Sequence, residues 1–145
     1  MKKFACYFIY TLLLSAIVCA CNDNIDIKQD YEFSISHLPV VSKIKKGETA
    51  EIRCKIVREG RYDETEYFIR YFQPDGIGEL RLDDGTVLLP NDTYPLSKEE
   101  FRIYYTSMSE EQHTIDLYFS DNMGNEFKLN FKFNNTSGTE EEELV

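Results

Sequence analysis

Apolar side chains recur at every second position along much of the chain, and this period of two constrains its fold most strongly. In the clearest run, Phe127, Leu129, Phe131 and Phe133 alternate with polar residues. Side chains of a β-strand alternate between two faces, whereas a helix needs apolar residues three and four apart. Similar short runs fall at 31–36, 51–56, 67–72, 80–82, 87–89, 101–106 and 115–119. The chain is therefore predicted to be all-β.

Turn-forming residues separate these runs. The residues at 121–125 and at 83–86 are Asp, Asn, Gly and Thr with one Met, a composition that predicts two tight hairpins. Residues 90–95 are predicted to form a longer loop. One apolar face per strand implies antiparallel sheets, so we expect an immunoglobulin-like β-sandwich of seven or eight short strands over residues 31–134. A small antiparallel barrel is the alternative. The tryptophan and paired cysteines of antibody domains are absent from this segment.

The first twenty residues have the layout of a signal peptide. Lys2 and Lys3 precede an uncharged apolar run over residues 4–20, and a polar segment starts at Asn22. Residues 18–21, Val-Cys-Ala-Cys, resemble the bacterial lipobox, in which the final cysteine receives lipid. We therefore expect residues 1–20 to be a signal peptide and Cys21 to be lipidated. An uncleaved membrane anchor and ordinary secretory cleavage are the alternatives, since the run lies at the lower edge of a spanning length.

Lipidation of Cys21 would attach the domain to a membrane through a short tether. Residues 21–30 become the lipidated N-terminus and a flexible tether, which holds the domain at the membrane without embedding it. The protein is then expected in the cell envelope, on the periplasmic side of the inner membrane or on the outer membrane.

Cys6 and Cys19 leave with the signal peptide, and Cys54 lies between Ile52 and Ile56 in an alternating run. A buried, inert thiol and a fold without disulfides are predicted.

The negative charge of the chain argues against nucleic acid as a partner. Loss of Lys2 and Lys3, with no acid lost, changes the formal net charge from −10 to −12. Such an acidic chain without a basic stripe is not expected to bind nucleic acid, because that binding depends on Lys and Arg releasing counterions. Residues 135–145 end in a run of glutamates after small polar residues, and are predicted to form a disordered acidic tail.

Residues suited to catalysis or metal binding are few. His37 and His113 are isolated, so both are expected on the surface and neither in a zinc site. Acidic groups at 83–84 and 121–126 coincide with predicted turns and lack the ligand spacing of an EF-hand, so turn formation is favoured over calcium binding. No phosphate loop or nucleophile motif is present. We expect no enzyme activity, no catalytic residues, no metal and no cofactor.

Aromatic residues supply the candidate site. The segment 67–72 is apolar or aromatic on both faces of one strand, and Arg70 marks its outer side. If Tyr67, Ile69 and Tyr71 point inward, then Phe68, Arg70 and Phe72 form an outer row. Because aromatic residues and arginine are enriched in binding hot spots, this row is the candidate partner surface. The alternative is that a neighbouring loop or edge strand covers it.

The same region resembles a known family. Its motifs resemble those of the TraQ family of conjugative-transposon proteins. They occur in the family's order and extend over nearly the whole mature chain. The motifs are Gln29-Asp30-Tyr31, Ile44-Lys45-Lys46-Gly47-Glu48, Ile69-Arg70-Tyr71-Phe72-Gln73-Pro74-Asp75-Gly76, Gly78-Glu79-Leu80-Arg81, Asp83-Asp84-Gly85-Thr86, Pro90-Asn91-Asp92 and Phe101-Arg102-Ile103-Tyr104-Tyr105-Thr106-Ser107. The resemblance implies a small lipoprotein with an immunoglobulin-like domain, encoded in the transfer region of transposons of gut anaerobes. It supplies no catalytic residues.

Together these features give one functional hypothesis and one alternative. We expect a non-enzymatic envelope lipoprotein that is an accessory or structural part of a conjugative transposon's transfer apparatus, binding another envelope protein. Its contacts would be the membrane through Cys21 and a protein of the envelope or the apparatus, with no small-molecule cofactor. The alternative is a lipoprotein that binds envelope glycans or acts in inhibition or exclusion, because aromatic platforms beside acids also suit sugars.

Overall fold

A computed structural model of the protein describes residues 2–16 and 28–135, with the side chains of residues 13–16 excluded. The N-terminal helix α1 spans Lys2–Ala16. Cys21, most of the predicted tether and the tail beyond residue 135 lie outside the described residues, so the predictions made for them stay predictions. Among the helices that are described, none has both the length and the apolar character needed to cross a membrane.

The rest of the described chain consists of nine strands in two antiparallel sheets. The first sheet has the order β1-β2-β7-β4-β5 and the second the order β6-β3-β8-β9. The strands are β1 Phe33–His37, β2 Thr49–Arg58, β3 Tyr67–Asp75, β4 Gly78–Leu82, β5 Val87–Leu88, β6 Tyr94–Leu96, β7 Glu100–Ser107, β8 His113–Asp121 and β9 Glu126–Phe133. The immunoglobulin-like sandwich is therefore confirmed, and the strands do not close into one barrel.

The nine strands of the described chain are one more than the upper end of the predicted seven or eight. The additional strand is β6, a segment of three residues that we predicted to be part of a loop. It pairs with β3 through Tyr67↔Leu96 and Ile69↔Tyr94. Pro95 interrupts its sequence signal, yet a proline is tolerated on an edge strand because its missing N–H faces away from the ladder.

Inward-pointing side chains of both sheets form one core. The inward-pointing side chains of β3 are Tyr67, Ile69 and Tyr71, and those of β8 include Ile115, Leu117 and Phe119. All of these side chains are buried. They pack against buried residues of the first sheet, which include Ile52, Cys54, Leu80, Ile103 and Tyr105. Fully burying one large apolar side chain contributes about 1.5–3 kcal/mol, so this shared core is what holds the two sheets together.

The chain crosses between the sheets after β1. The Leu38 N–H donates to the Arg53 carbonyl in the first sheet at 3.1 Å, and six residues later the Ile44 N–H donates to the Asn134 carbonyl at 3.0 Å. Lys43 and Asn134 form a parallel bridge just beyond the end of β9. The crossing segment therefore closes one corner of the sandwich, and within residues 2–16 and 28–135 no strand pairs with the rest of the β9 edge.

Candidate functional site

The outer row of β3 lies where the alternation predicts it. Tyr67, Ile69 and Tyr71 are buried, and Phe68, Arg70 and Phe72 point to the outer face, where each is half-buried. Pro95 of β6 pairs with Phe68, so the edge strand covers one end of the row in part. The remaining end, at Arg70 and Phe72, stays accessible on the outer face of the second sheet.

Arg70 packs against aromatic rings on two strands. Its guanidinium lies 5.5 Å from the ring centroid of Phe72 and 5.5 Å from that of Tyr118 on β8. The two rings meet edge to face at 5.6 Å. A cation beside aromatic faces gains about 0.5–1 kcal/mol at exposed sites. Arg70 is thereby held in place while 38% of its side chain remains exposed.

Lys128 of β9 extends this arrangement by one strand. Its ammonium lies 5.1 Å from the centroid of the Tyr118 ring and 3.5 Å from the Asp116 carboxylate. Asp116 also accepts a hydrogen bond of 2.6 Å from the Asn130 amide. We call Phe68, Arg70, Phe72 and Tyr118 the aromatic surface. Tyr118 was missed from the sequence because only the register Arg70↔Tyr118 brings it beside the row.

The outer face of the first sheet has a different composition. It carries mutually paired charges: Glu51 contacts Arg53 at 2.9 Å and Arg102 at 3.3 Å, and Lys55 contacts Glu100 at 3.0 Å. Surface pairs of this kind contribute little to stability, about 0–1 kcal/mol. Among the described residues, no cation lies over an aromatic ring on this face, so the aromatic surface distinguishes the second sheet from the first.

Aromatic and polar groups also meet inside the sandwich, in a cluster we call the buried polar cluster. It comprises Gln73, Tyr105, Ser107, Ser109 and His113. His113 was predicted to be a surface residue, and this prediction is wrong because its side chain is fully buried. His37, in contrast, is exposed as expected. The alternation placed His113 on the inward side of β8, but its polar character concealed that position.

One set of protons accounts for four side-chain hydrogen bonds of the buried polar cluster. The Gln73 amide donates to Tyr105 Oη at 2.6 Å, and Ser107 Oγ donates to the Ser109 carbonyl at 3.0 Å. The Tyr105 hydroxyl proton is then available for His113 Nδ1 at 2.8 Å. His113 Nε2 carries the other proton and donates to Ser107 Oγ at 2.9 Å. A complete chain of this kind offsets the cost of burying polar groups.

The contact between Ser107 and His113 resembles the first half of a hydrolase triad but lies in a closed site. Ser107 is 1% exposed and His113 is 0% exposed, and the serine proton is directed at a backbone carbonyl. A nucleophile must reach its substrate, which requires access from solvent. The arrangement therefore holds the strands β7 and β8 together and offers no attacking group to a ligand.

Two glycines close the space above this cluster. A Cβ atom at Gly76 would overlap His113 Nδ1, and one at Gly78 would overlap the Tyr105 hydroxyl. Gly76 also has a φ of +78°, in the region that side chains with a Cβ rarely adopt. The β3–β4 turn thus packs directly on the histidine and tyrosine.

Other sequence-predicted features behave as structural elements. Cys54 is buried, and burial raises the pKa of its thiol to about 12, so it is inert as a nucleophile at neutral pH. Asp84 accepts the Thr86 N–H at 2.9 Å, and Asp121 accepts the N–H groups of Met123 and Asn125. Both acidic segments thus form turns, as expected. Across residues 2–16 and 28–135, no cluster of three potential metal ligands occurs.

The β8–β9 turn also contacts the start of the domain. The Asn125 amide donates to the Asp30 carboxylate at 2.6 Å and to the Tyr31 carbonyl at 3.4 Å. The Tyr31 ring fills the space that a Cβ atom at Gly60 would occupy. The last residue of the predicted tether is therefore bound to the end of the sandwich at which β9 begins.

Fold and surface together define a small immunoglobulin-like β-sandwich protein with one aromatic outer face and a closed polar cluster inside an apolar core. Residues 4–136 match the family model described as TraQ conjugal transfer protein, and the chain belongs to this family. No curated protein matches the chain.

Three solved structures are similar over most of their length. A lipoprotein from Bacteroides thetaiotaomicron is 61% identical, with a TM-score of 0.70, over 85% of this chain and 94% of that one. A conjugative transposon lipoprotein from Bacteroides eggerthii is 45% identical, with a TM-score of 0.69, over 73% of this chain and 100% of that one. A conjugate transposon protein from Bacteroides vulgatus is 48% identical, with a TM-score of 0.66, over 83% of this chain and 95% of that one. The predicted family and fold are thereby confirmed.

Proposed function

We propose that the protein is a non-enzymatic envelope lipoprotein of a conjugative transposon, and that it contributes to the transfer apparatus by binding another protein through its aromatic surface. Membership of the TraQ family supports the connection with transfer. The relatives named as lipoproteins support a location in the cell envelope.

The observation that carries the proposal is the position of Arg70. Its guanidinium is held by Phe72 and Tyr118, and its ion pair with Glu126 is long, at 3.8 Å. An ordered arginine with exposed donors, surrounded by half-buried rings, has the composition of a binding hot spot. Ordering before contact reduces the entropy that a partner would otherwise cost on binding.

Substitution of the row tests this role. Phe68, Arg70 and Phe72 are replaced together by serine, and transposon transfer is measured in mating cells alongside the amount of folded protein. The matched control replaces Val57, Arg81 and Val87 by serine, which are one cation and two exposed apolar residues on the outer face of the first sheet. We expect transfer to fall about 100-fold with the row variant and to stay unchanged with the control, since hot-spot losses reach a few kcal/mol. Equal transfer by both variants would refute the site.

The lipid anchor at Cys21 is tested separately. We expect Cys21→Ser to abolish labelling by a fatty-acid probe and to release the protein from the membrane fraction. Persistent labelling would refute lipidation at Cys21 while leaving the role of the aromatic surface open to the mating experiment. Cys6→Ser is the matched control, because a cysteine within the signal peptide is expected to leave labelling unchanged.

A further inference from the structure

The strand β9 lies at an open edge of the second sheet. It is the last strand in the order β6-β3-β8-β9. The Asn134 N–H and carbonyl bond to Ser42 and Ile44, on the side away from β8. Because this direction alternates along a strand, the N–H and carbonyl groups of Lys128, Asn130 and Lys132 point the same way. Among the described residues, none is recorded as a hydrogen-bond partner of these main-chain groups.

The apolar side of this edge is incompletely covered. Phe131 and Phe133 are buried at the closed corner of the sandwich, whereas Phe127 and Leu129 are only partly buried. The edge that lacks a main-chain partner is therefore also the part of β9 where the core is least enclosed. A strand added beside β9 would cover both side chains and continue the sheet.

The charges on the outer side of this edge are positive in an otherwise acidic chain. Lys128, Lys132 and Arg70 lie on the outer face of the second sheet. The acids on this face are engaged, since Asp116 contacts Lys128 and Asn130 and Glu126 lies near Arg70. Lys132 has no ion pair within the part of the chain that the structure describes. An acidic side chain on an incoming strand would therefore find Lys132 available for an ion pair.

A second copy of the chain fits this edge poorly. Parallel pairing in register would place Lys128 beside Lys128 and Lys132 beside Lys132, which is unfavourable. Antiparallel pairing would place the two tethered ends at opposite ends of the paired strands, because the tether joins the domain beside the start of β9. Only six residues lie between Cys21 and Lys28, so the Cα atoms of these two residues are at most about 25 Å apart and both copies would not readily reach one membrane.

We propose that β9 binds an extended, acidic segment of a partner protein by β-strand addition at Lys128, Asn130 and Lys132. This inference rests on the proposed function, and it names the partner's chemistry: an exposed strand with carboxylates at alternate positions. The main-chain groups provide pairing, Phe127 and Leu129 provide apolar contact, and the two lysines select for acid.

The probe is a capped synthetic seven-residue peptide of alternating valine and glutamate, with the matching valine–lysine peptide as control. The nitrogen-15-labelled full chain in detergent micelles is titrated with each peptide, and amide hydrogen exchange is followed. With the acidic peptide we expect exchange at Lys128, Asn130 and Lys132 to slow at least about tenfold. We expect no change with the lysine peptide, and weaker binding as salt is raised.

Two variants separate strand pairing from nonspecific attraction. Asn130→Pro removes the central N–H and is tolerated at an edge, so we expect the domain to fold and the protection to disappear. The double variant Lys128→Glu with Lys132→Glu should reverse the preference towards the lysine peptide. Unchanged exchange with the acidic peptide, or unchanged binding to Asn130→Pro, would overturn the proposal.

Self-pairing has its own signature. Protection of the three amides without peptide, increasing with protein concentration, would show that the edge binds a second copy and would also overturn the proposal. The peptide experiment does not depend on conjugation. If it fails while the row variant still lowers transfer, the acidic strand is refuted and the proposed function stands.

Discussion

The buried polar cluster and the aromatic surface are built from similar residue types but differ in enclosure. In the buried polar cluster, Tyr105 stacks on Phe133 at 5.2 Å, and its hydroxyl bonds to both Gln73 and His113. On the outer face, Phe72 and Tyr118 hold Arg70, whose donors remain accessible. The first arrangement stabilises the domain because its groups are satisfied. The second suits recognition because its groups are ordered and only partly used.

This difference predicts that substitutions in the cluster lower stability, while substitutions on the aromatic surface lower transfer. Removal of the buried histidine should have the largest effect. His113→Leu leaves the Tyr105 hydroxyl proton without its acceptor and Ser107 Oγ without the donor on His113, and an unsatisfied buried group costs about 1–3 kcal/mol. We expect the free energy of unfolding, measured by urea titration, to fall by about 3 kcal/mol. His37→Leu is the control, and similar losses in both variants would contradict the structural role of the cluster.

The glycine above the cluster should have the next largest effect. Gly76→Ala introduces a Cβ atom against His113 and an unfavourable φ, whereas Gly85→Ala introduces only the unfavourable φ, because no atom lies within 4 Å of its Cβ. We expect losses of about 2–3 and about 1 kcal/mol respectively in the same titration. If the two variants lose equal stability, the contact with His113 has no energetic weight.

Alkaline pH should weaken the interior in particular. Burial raises the pKa of both Cys54 and Tyr105 to about 12, above their ordinary values of 9 and 10. In the folded state both groups keep their protons where the unfolded chain loses them. Stability is therefore full below pH 9 and decreases as the pH rises towards 12, by up to about 1.4 kcal/mol per pH unit for each group. Urea titrations of Cys54→Ala and Tyr105→Phe should show flatter pH profiles, and profiles parallel to that of the parent chain would contradict this account.

Substitution on the outer face should have the smallest effect on stability. Phe72→Ser removes a half-buried ring and its contacts with Tyr118 and Arg70, and we expect a loss of about 1 kcal/mol or less. Transfer in the mating assay should nevertheless fall. The control Val87→Ser should change neither quantity. A large loss of stability in Phe72→Ser would assign the aromatic surface to folding and remove the contrast with the interior.

The alternation of side chains was sufficient to predict the sheets and most of the core. It placed Ile69, Leu117 and Phe119 inside and put Phe68, Arg70 and Phe72 on the outer side, as the structure does. It could not identify β6, because three residues around a proline carry no period. The polar character of His113 led to the wrong surface prediction, although the residue lies on the inward side of β8 and has partners on β7.

The sequence by itself determined the strand period, the turns, the single buried cysteine of the sandwich and the family. These depend on local spacing and on short motifs, which the order of residues contains directly. Only the tertiary structure decided which strands are neighbours. Pairing between β3 and β8 placed Tyr118 beside Arg70, and packing of the first sheet against the second brought Tyr105 and Ser107 of β7 onto His113 of β8. Such contacts join residues of different strands, so their chemistry depends on register and enclosure, which no local pattern specifies.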